Sequence, residues 1–198
     1  LQWIQVQESA GLDIITEGEQ FRIHFVHGFL QKIKGISWNQ KTKMGIRNNR
    51  YTVEVPTVTE AIIRPEIIHL KEAEFLRKNT KKKTKFTLPG PMTICDTIAN
   101  NYYQTREEMA FAFAQILNIE AKALEKAGID IIQFDEPDIT GHDRGHDTEA
   151  YYKAIQTIDS HVGTIVNTLS KENMLKHSAI IFSSDHGGIG KTHGGKTL

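Results

Sequence analysis

The sequence predicts an α/β protein in which parallel strands alternate with long helices. Three observations carry this reading: short β-rich apolar runs bounded by Gly, Pro or charge, two long stretches of helical apolar periodicity, and polar loops that follow the strands. In such sheets functional side chains gather in the loops leaving the carboxyl ends of the strands.

"GLDIIT" (11–16) and "TKFTL" (84–88) each read as a buried strand followed by a polar loop. "TREEMAFAFAQILNIEAKALEKAG" (105–128) is the clearest helix. Thr105 and Glu108 form a capping box, Met109, Phe113, Ile116, Leu117 and Leu124 recur at helical spacing, and Gly128 supplies the stop. "IDIIQF" (129–134) is the next strand. A second helix spans 147–174, with Asp147 as cap and a stripe of Ile155, Ile158, Val162, Ile165 and Leu169 that reads as core. "SAIIFSS" (178–184) reads as a further strand, and no internal repeat or flexible linker interrupts the series.

The 198 residues suffice for a buried core. Lys plus Arg balances Asp plus Glu at 24 each, so no global field favours nucleic acid or an acidic membrane surface. The basic run at 78–85 reads as a solvated loop before a strand. With no apolar run of about 18 residues and no signal-peptide pattern, a soluble, cytoplasmic protein is expected. A single cysteine, Cys95, excludes an intrachain disulfide and any zinc site needing two thiolates from this chain. The chain opens on Leu1 rather than Met and stops at "HGGKTL", which suggests a fragment or a processed product.

Two groups of loop residues carry the chemistry. "TEGEQFR" places Glu17, Glu19 and Arg22 beyond one strand, and Asp135 and Glu136 stand similarly beyond another. Two strand-end carboxylates suit an amino group between them, because an ammonium needs close, desolvated negative charge; the alternative is a set of solvated loop acids. "LPGP" (88–91) is a rigid turn that can shape a pocket without supplying a reactive group.

In order, "DIITEGEQFR", "KFTLPGPMT" and "NYYQTREEMAFAFAQILNIEAKALEKAGIDIIQFDEP" resemble the catalytic barrel of cobalamin-independent methionine synthase over roughly residues 5–137. The resemblance implies a (β/α)8 TIM-type barrel, and a homocysteine S-methyltransferase that moves a methyl group from a folate to homocysteine with zinc activating the thiolate. It also implies that Glu19 and Asp135 hold the amino group of homocysteine or methionine. The family's zinc ligands include a His and two Cys, and the His-x-Cys pair is missing here. Cys95 reads instead as a packed apolar residue.

The last third reads differently. Six of the nine histidines lie beyond residue 137. Asp138 and His142 form a D-x-x-x-H pair, "SDHGG" (184–188) supplies Asp185 and His186, and "KTHGG" supplies His193. Carboxylate and imidazole interleaved with Gly suit Zn or Mn. "PDITGHDRGHDTEAYYKAIQTIDSHVGTIV" with "AIIFSSDHGGIGKTHGG" resembles the alkaline phosphatase superfamily, in its nucleotide pyrophosphatase and phosphodiesterase branch. That resemblance implies two divalent metals, usually zinc, flanking a Thr or Ser nucleophile. Asp138, His142 and His193 would complete one site; Asp185 and His186 would half build the second. The upstream Asp and nucleophile have no match, so no catalytic residue is assigned.

The expectation is therefore a mosaic joined at 134–138. Residues 1–137 would be a partial methionine-synthase-like segment and 138–198 a partial phosphodiesterase-like βαβ segment with bound metal, the join being a natural fusion, a design or an assembly artefact. Length excludes a full barrel, and open sheet edges point to an open sheet and homo-oligomerisation. The ligand would be a small molecule: homocysteine or methionine with a folate, or a phosphate ester. The methyltransferase family claims most of the chain, with little turnover expected from it alone. A phosphodiesterase segment and a non-catalytic metal-binding product are the alternatives.

Overall fold

A computed structural model describes residues 1–46, 51–136, 149–178 and 180. The chain divides into two compact units, Leu1–Ile139 and Thr140–Leu198.

The first unit runs α1 (Gln2–Ser9), β1 (Ile14–Thr16), α2 (His27–Leu30), β2 (Lys34–Ile46), β3 (Tyr51–Ile63), α3 (Leu70–Lys78), β4 (Lys83–Pro89), α4 (Pro91–Cys95), β5 (Ala99–Asn100), α5 (Arg106–Lys126) and β6 (Ile131–Asp135). The expected parallel sheet is present, with order β1-β4-β6 and pairings Ile15↔Thr84 and Leu88↔Phe134. β4 is central and reads as a near-continuous buried run, as a parallel strand covered on both faces should. Phe86 and Leu88 are fully buried with Ile15, Phe29, Leu30, Leu76, Phe113, Leu117 and Leu124.

An all-parallel arrangement is corrected by a second sheet, order β2-β3-β5, in which β2 and β3 are antiparallel. The alternating Thr and Val of "YTVEVPTVTEAII" are a strand signal of their own. Gly35, at φ 90°, is required where the hairpin strands approach, since a Cβ there would lie 2.5 Å from the Ala61 carbonyl oxygen. Pro56 sits beside a register shift, where a missing N–H does least harm to the ladder.

α5 forms as its sequence dictates. The Thr105 hydroxyl accepts from Glu108 N at 3.1 Å, and the Glu108 carboxylate reaches back to Gln104 N at 2.9 Å, one residue upstream of the usual box partner. Gly128, at φ 93°, ends it, with Ile129 N donating to Leu124 O at 3.1 Å. Its buried face includes one charge, Glu120, fully buried and accepting from Arg64 Nη1 (2.5 Å), Ile68 N (3.1 Å) and His69 N (2.9 Å). That carboxylate ties the segment between β3 and α3 to α5.

In the second unit α6 (Glu149–Lys171) is followed by a 3-10 turn at Leu175–His177. The apolar stripe read as core is only partly covered: Ile155 and Ile165 are 46% and 57% exposed, while Ile158, Val162 and Leu169 are half-buried. Periodicity reports an amphipathic face, not a partner for it. The expected cap Asp147 and nearly all of the expected strand over 178–184 lie outside the described residues. Among the described residues no helix is long and apolar enough to cross a membrane.

Candidate functional site

Glu19 lies in the loop after β1, and Asp135 is the last residue of β6, so both stand at carboxyl ends of strands of the parallel sheet. The end of β1 is fixed by Gln7 of α1, whose side-chain amide donates to Thr16 O at 2.7 Å and accepts from Thr16 N at 3.0 Å. This pair stands in for a neighbouring strand. Beyond it the chain turns through Gly18 (φ 67°) and Glu19 (φ 56°). A left-handed conformation costs a non-Gly residue about 1–2 kcal/mol, and such strain concentrates at binding sites.

Glu17 is buried, so it is no solvated loop acid: Arg22 Nη2 donates to its Oε1 at 2.7 Å and Thr16 Oγ1 to its Oε2 at 3.1 Å. Arg22 Nη1 lies 3.9 Å from Glu19 Oε2, and the guanidinium carbon sits 4.8 Å from the Phe86 ring centroid. His69 packs against Phe86 from another direction, ring centroids 5.4 Å apart, and its Nδ1 faces Glu72 at 3.5 Å.

At the other strand end, Asp135 Oδ1 accepts from Gln133 Nε2 at 2.6 Å, and Gln133 Oε1 accepts from Lys85 Nζ at 2.8 Å. Glu136 is a cap. Its oxygens accept from Met92 N (2.9 Å), Thr93 N (2.7 Å) and Thr93 Oγ1 (2.8 Å) at the start of α4, and Gly90 N donates to Asp135 O at 2.8 Å. These bonds lock the "LPGP" turn to the end of β6. Gly90 makes them feasible, because a Cβ there would meet the Glu136 carboxyl at 2.1 Å.

The charges of these groups reach one another. Partial burial holds the Glu19 carboxyl above the usual glutamate value; Arg22 opposes that rise, Glu17 and Asp135 reinforce it, and His69 weakly opposes it. The structure thus brings Glu17, Glu19, Arg22 and Asp135 into one electrostatic neighbourhood and adds His69 and Phe86. No sequence motif marks these two, since His69 stands alone in "RPEIIHL" and Phe86 reads as ordinary strand core.

The metal-ligand candidates Asp138, His142, Asp185, His186 and His193 lie outside the described residues. Among the described residues no group of three or more His, Cys, Asp or Glu is placed to hold a metal ion. The zinc centre implied by the methionine-synthase resemblance does not fit the thiols of this chain. Cys95 is buried, and burial pushes its thiol up to about 11, far from a ready thiolate ligand.

The described fold is an α/β domain whose parallel sheet carries acidic side chains at the carboxyl ends of β1 and β6. The chain belongs to the cobalamin-independent synthase catalytic-domain family, whose model matches residues 1–175. It is 37% identical over 135 residues to the 5-methyltetrahydropteroyltriglutamate–homocysteine methyltransferase of Bacillus licheniformis, covering 68% of this chain and 18% of that protein. To the methionine synthase of Thermococcus kodakarensis it is 34% identical over 140 residues, covering 70% and 41%. Among solved structures, a B12-independent methionine synthase from Shewanella sp. W3-18-1 in complex with selenomethionine is similar with a TM-score of 0.65 at 45% identity, covering 70% of this chain and 40% of that one. The chain thus spans less than half the length of each of these relatives.

Proposed function

We propose that this chain supplies the amino-acid-binding part of a cobalamin-independent methionine synthase barrel, with Glu19 and Asp135 taking the ammonium of homocysteine or methionine. The observation that carries the reading is the pairing of two acids at strand ends of one parallel sheet, beside a third, Glu17, whose charge Arg22 already balances. An incoming ammonium would offset the remaining negative charge in a partly desolvated setting, where such pairing is strongest. The selenomethionine bound by the Shewanella relative supports the choice of ligand. In this reading Glu136 and the "LPGP" turn shape the pocket wall and transfer no proton.

Methyl transfer is not expected from this chain alone. Zinc supplies thiolate activation in the implied chemistry, and Cys95 cannot provide the two thiolates. Calorimetric titration with L-methionine tests the reading. Glu19→Gln and Asp135→Asn should each weaken binding about tenfold or more, as expected for loss of a charge-assisted hydrogen bond. Unchanged affinity in both variants would overturn it.

A second reading concerns the second unit. Support comes from the unit boundary at Ile139–Thr140, beside the predicted junction at 134–138, and from the D-x-x-x-H, "SDHGG" and "KTHGG" strings. The family match runs past that junction to residue 175 and leaves out the segment holding Asp185, His186 and His193. On this reading Asp138, His142 and His193 bind one zinc ion as in phosphodiesterases. Mass spectrometry of zinc-reconstituted protein should find about one zinc per chain that His142→Ala removes. Zinc-free protein in both cases would end the phosphodiesterase reading.

A further inference from the structure

We propose that Arg22 is a positioning residue, which holds Glu19 ionised and in place for an amino-acid ammonium without occupying its oxygens. The inference rests on the ammonium-binding reading of Glu19 and goes beyond it by assigning the group that keeps that acid competent.

The geometry has three parts. First, the guanidinium is immobilised: its side chain is 3% exposed, Nη2 is bonded to the equally buried Glu17, and its central carbon lies over the Phe86 ring. Second, the gap to Glu19 is too long for a hydrogen bond. At 3.9 Å, Nη1 acts on Glu19 through its charge, and no group among the described residues donates a hydrogen bond to the Glu19 carboxylate. Both carboxylate oxygens therefore stay available to a ligand. Third, Nε and Nη1 of Arg22 are buried without a hydrogen-bond partner among the described residues, so no other acceptor there competes with Glu19 for Nη1.

Three other charged or titratable groups act on Glu19. Glu17 on the same loop and Asp135 from β6 oppose its ionisation, whereas His69, before α3, favours it only when protonated. Among them Arg22 is the permanent cation and the largest influence favouring the charged form. Glu17 has a distinct part, since it anchors Arg22 and in doing so has its own charge neutralised. The arrangement explains why three acids cluster although only two are needed for the ligand.

The test reads the Glu19 carboxyl directly, by carbon-13 NMR titration of ligand-free protein. Removing a cation at this range should raise the Glu19 midpoint by about one pH unit or more in Arg22→Met, which keeps length and packing on Phe86. Arg22→Lys, retaining charge, should stay near the wild-type midpoint, a rescue that a purely structural role does not predict. Should Arg22→Met fail to fold because Glu17 is left unpaired, Glu17→Gln/Arg22→Met removes both buried charges. Its Glu19 midpoint should lie above that of Glu17→Gln alone, the comparison in which only the Arg22 charge changes. Equal midpoints in these two folded variants overturn the proposal. Because no ligand is present, the titration result is separate from methionine binding: a shifted midpoint in a protein that binds no methionine would sink the ammonium reading and leave the Arg22–Glu19 coupling standing.

Discussion

The Glu19 carboxyl sits at the centre of the proposed site, and its environment sets a pH dependence with opposite signs for folding and for binding. Burial, Glu17 and Asp135 hold its folded-state pKa above its unfolded value. The native protein therefore binds more protons in that window, and Glu19's contribution to stability falls as pH rises from the unfolded pKa through the folded one. Ammonium binding needs the charged form, so affinity for methionine should rise over the same window. Titrations from about pH 4 to about pH 8 check this, with Glu19→Gln expected to flatten the rise. "TEGEQFR" exposed the acids to sequence reading, yet not their inequality. That Arg22 hydrogen-bonds Glu17 and stands off from Glu19, with its guanidinium over Phe86 of β4, is a matter of tertiary placement that the string does not carry.

Single carboxylates also decide how whole elements join. Glu120 bonds Arg64, Ile68 N and His69 N from a fully buried position on α5. Truncation leaves a partly buried guanidinium and two amides unpaired, so Glu120→Ala should cost about 2–4 kcal/mol, measured as a shift in urea-unfolding midpoint at unchanged slope. Gly90→Ala would force the Glu136 carboxyl off the start of α4. A loss of about 1–3 kcal/mol is expected there, with weaker methionine binding because the end of β6 is released from the turn. The positions of β4 and α5 were legible because burial on both faces and a 3.6-residue period leave clear patterns. β6 was legible as a short apolar run after the Gly128 stop, although its side chains are only partly buried. The β2–β3 hairpin was not, since "KGISWNQKTKMGI" carries little alternation and its pairing is set by tertiary contact with "YTVEVPTVTEAII". The α6 stripe shows the converse, a clear period on a face that stays partly exposed.

Across the molecule, the first unit has a core that spans both sheets and the helix α5, with Phe86, Phe113 and Leu117 among its fully enclosed side chains. Membership of the synthase family accounts for the order of the motifs in that unit, and the match continues to residue 175. Metal chemistry was legible only as residue types. Asp138, His142, Asp185, His186 and His193 share a ligand vocabulary, but coordination is a matter of distances, and a string of letters does not carry them. Glu19 and Asp135 differ because the parallel sheet itself fixes where β1 and β6 end.

Recognition of an amino-acid ammonium by Glu19 and Asp135 is open to a simple comparison of two ligands. Calorimetric titration of the full chain with L-methionine is set against titration with N-acetyl-L-methionine, which keeps the side chain and carboxylate and lacks the charge. L-Methionine should bind, and the acetylated ligand should lose at least about tenfold in affinity, the cost of leaving two partly buried acids without their cation. Equal affinity for both would show that the two acids do not read the ammonium.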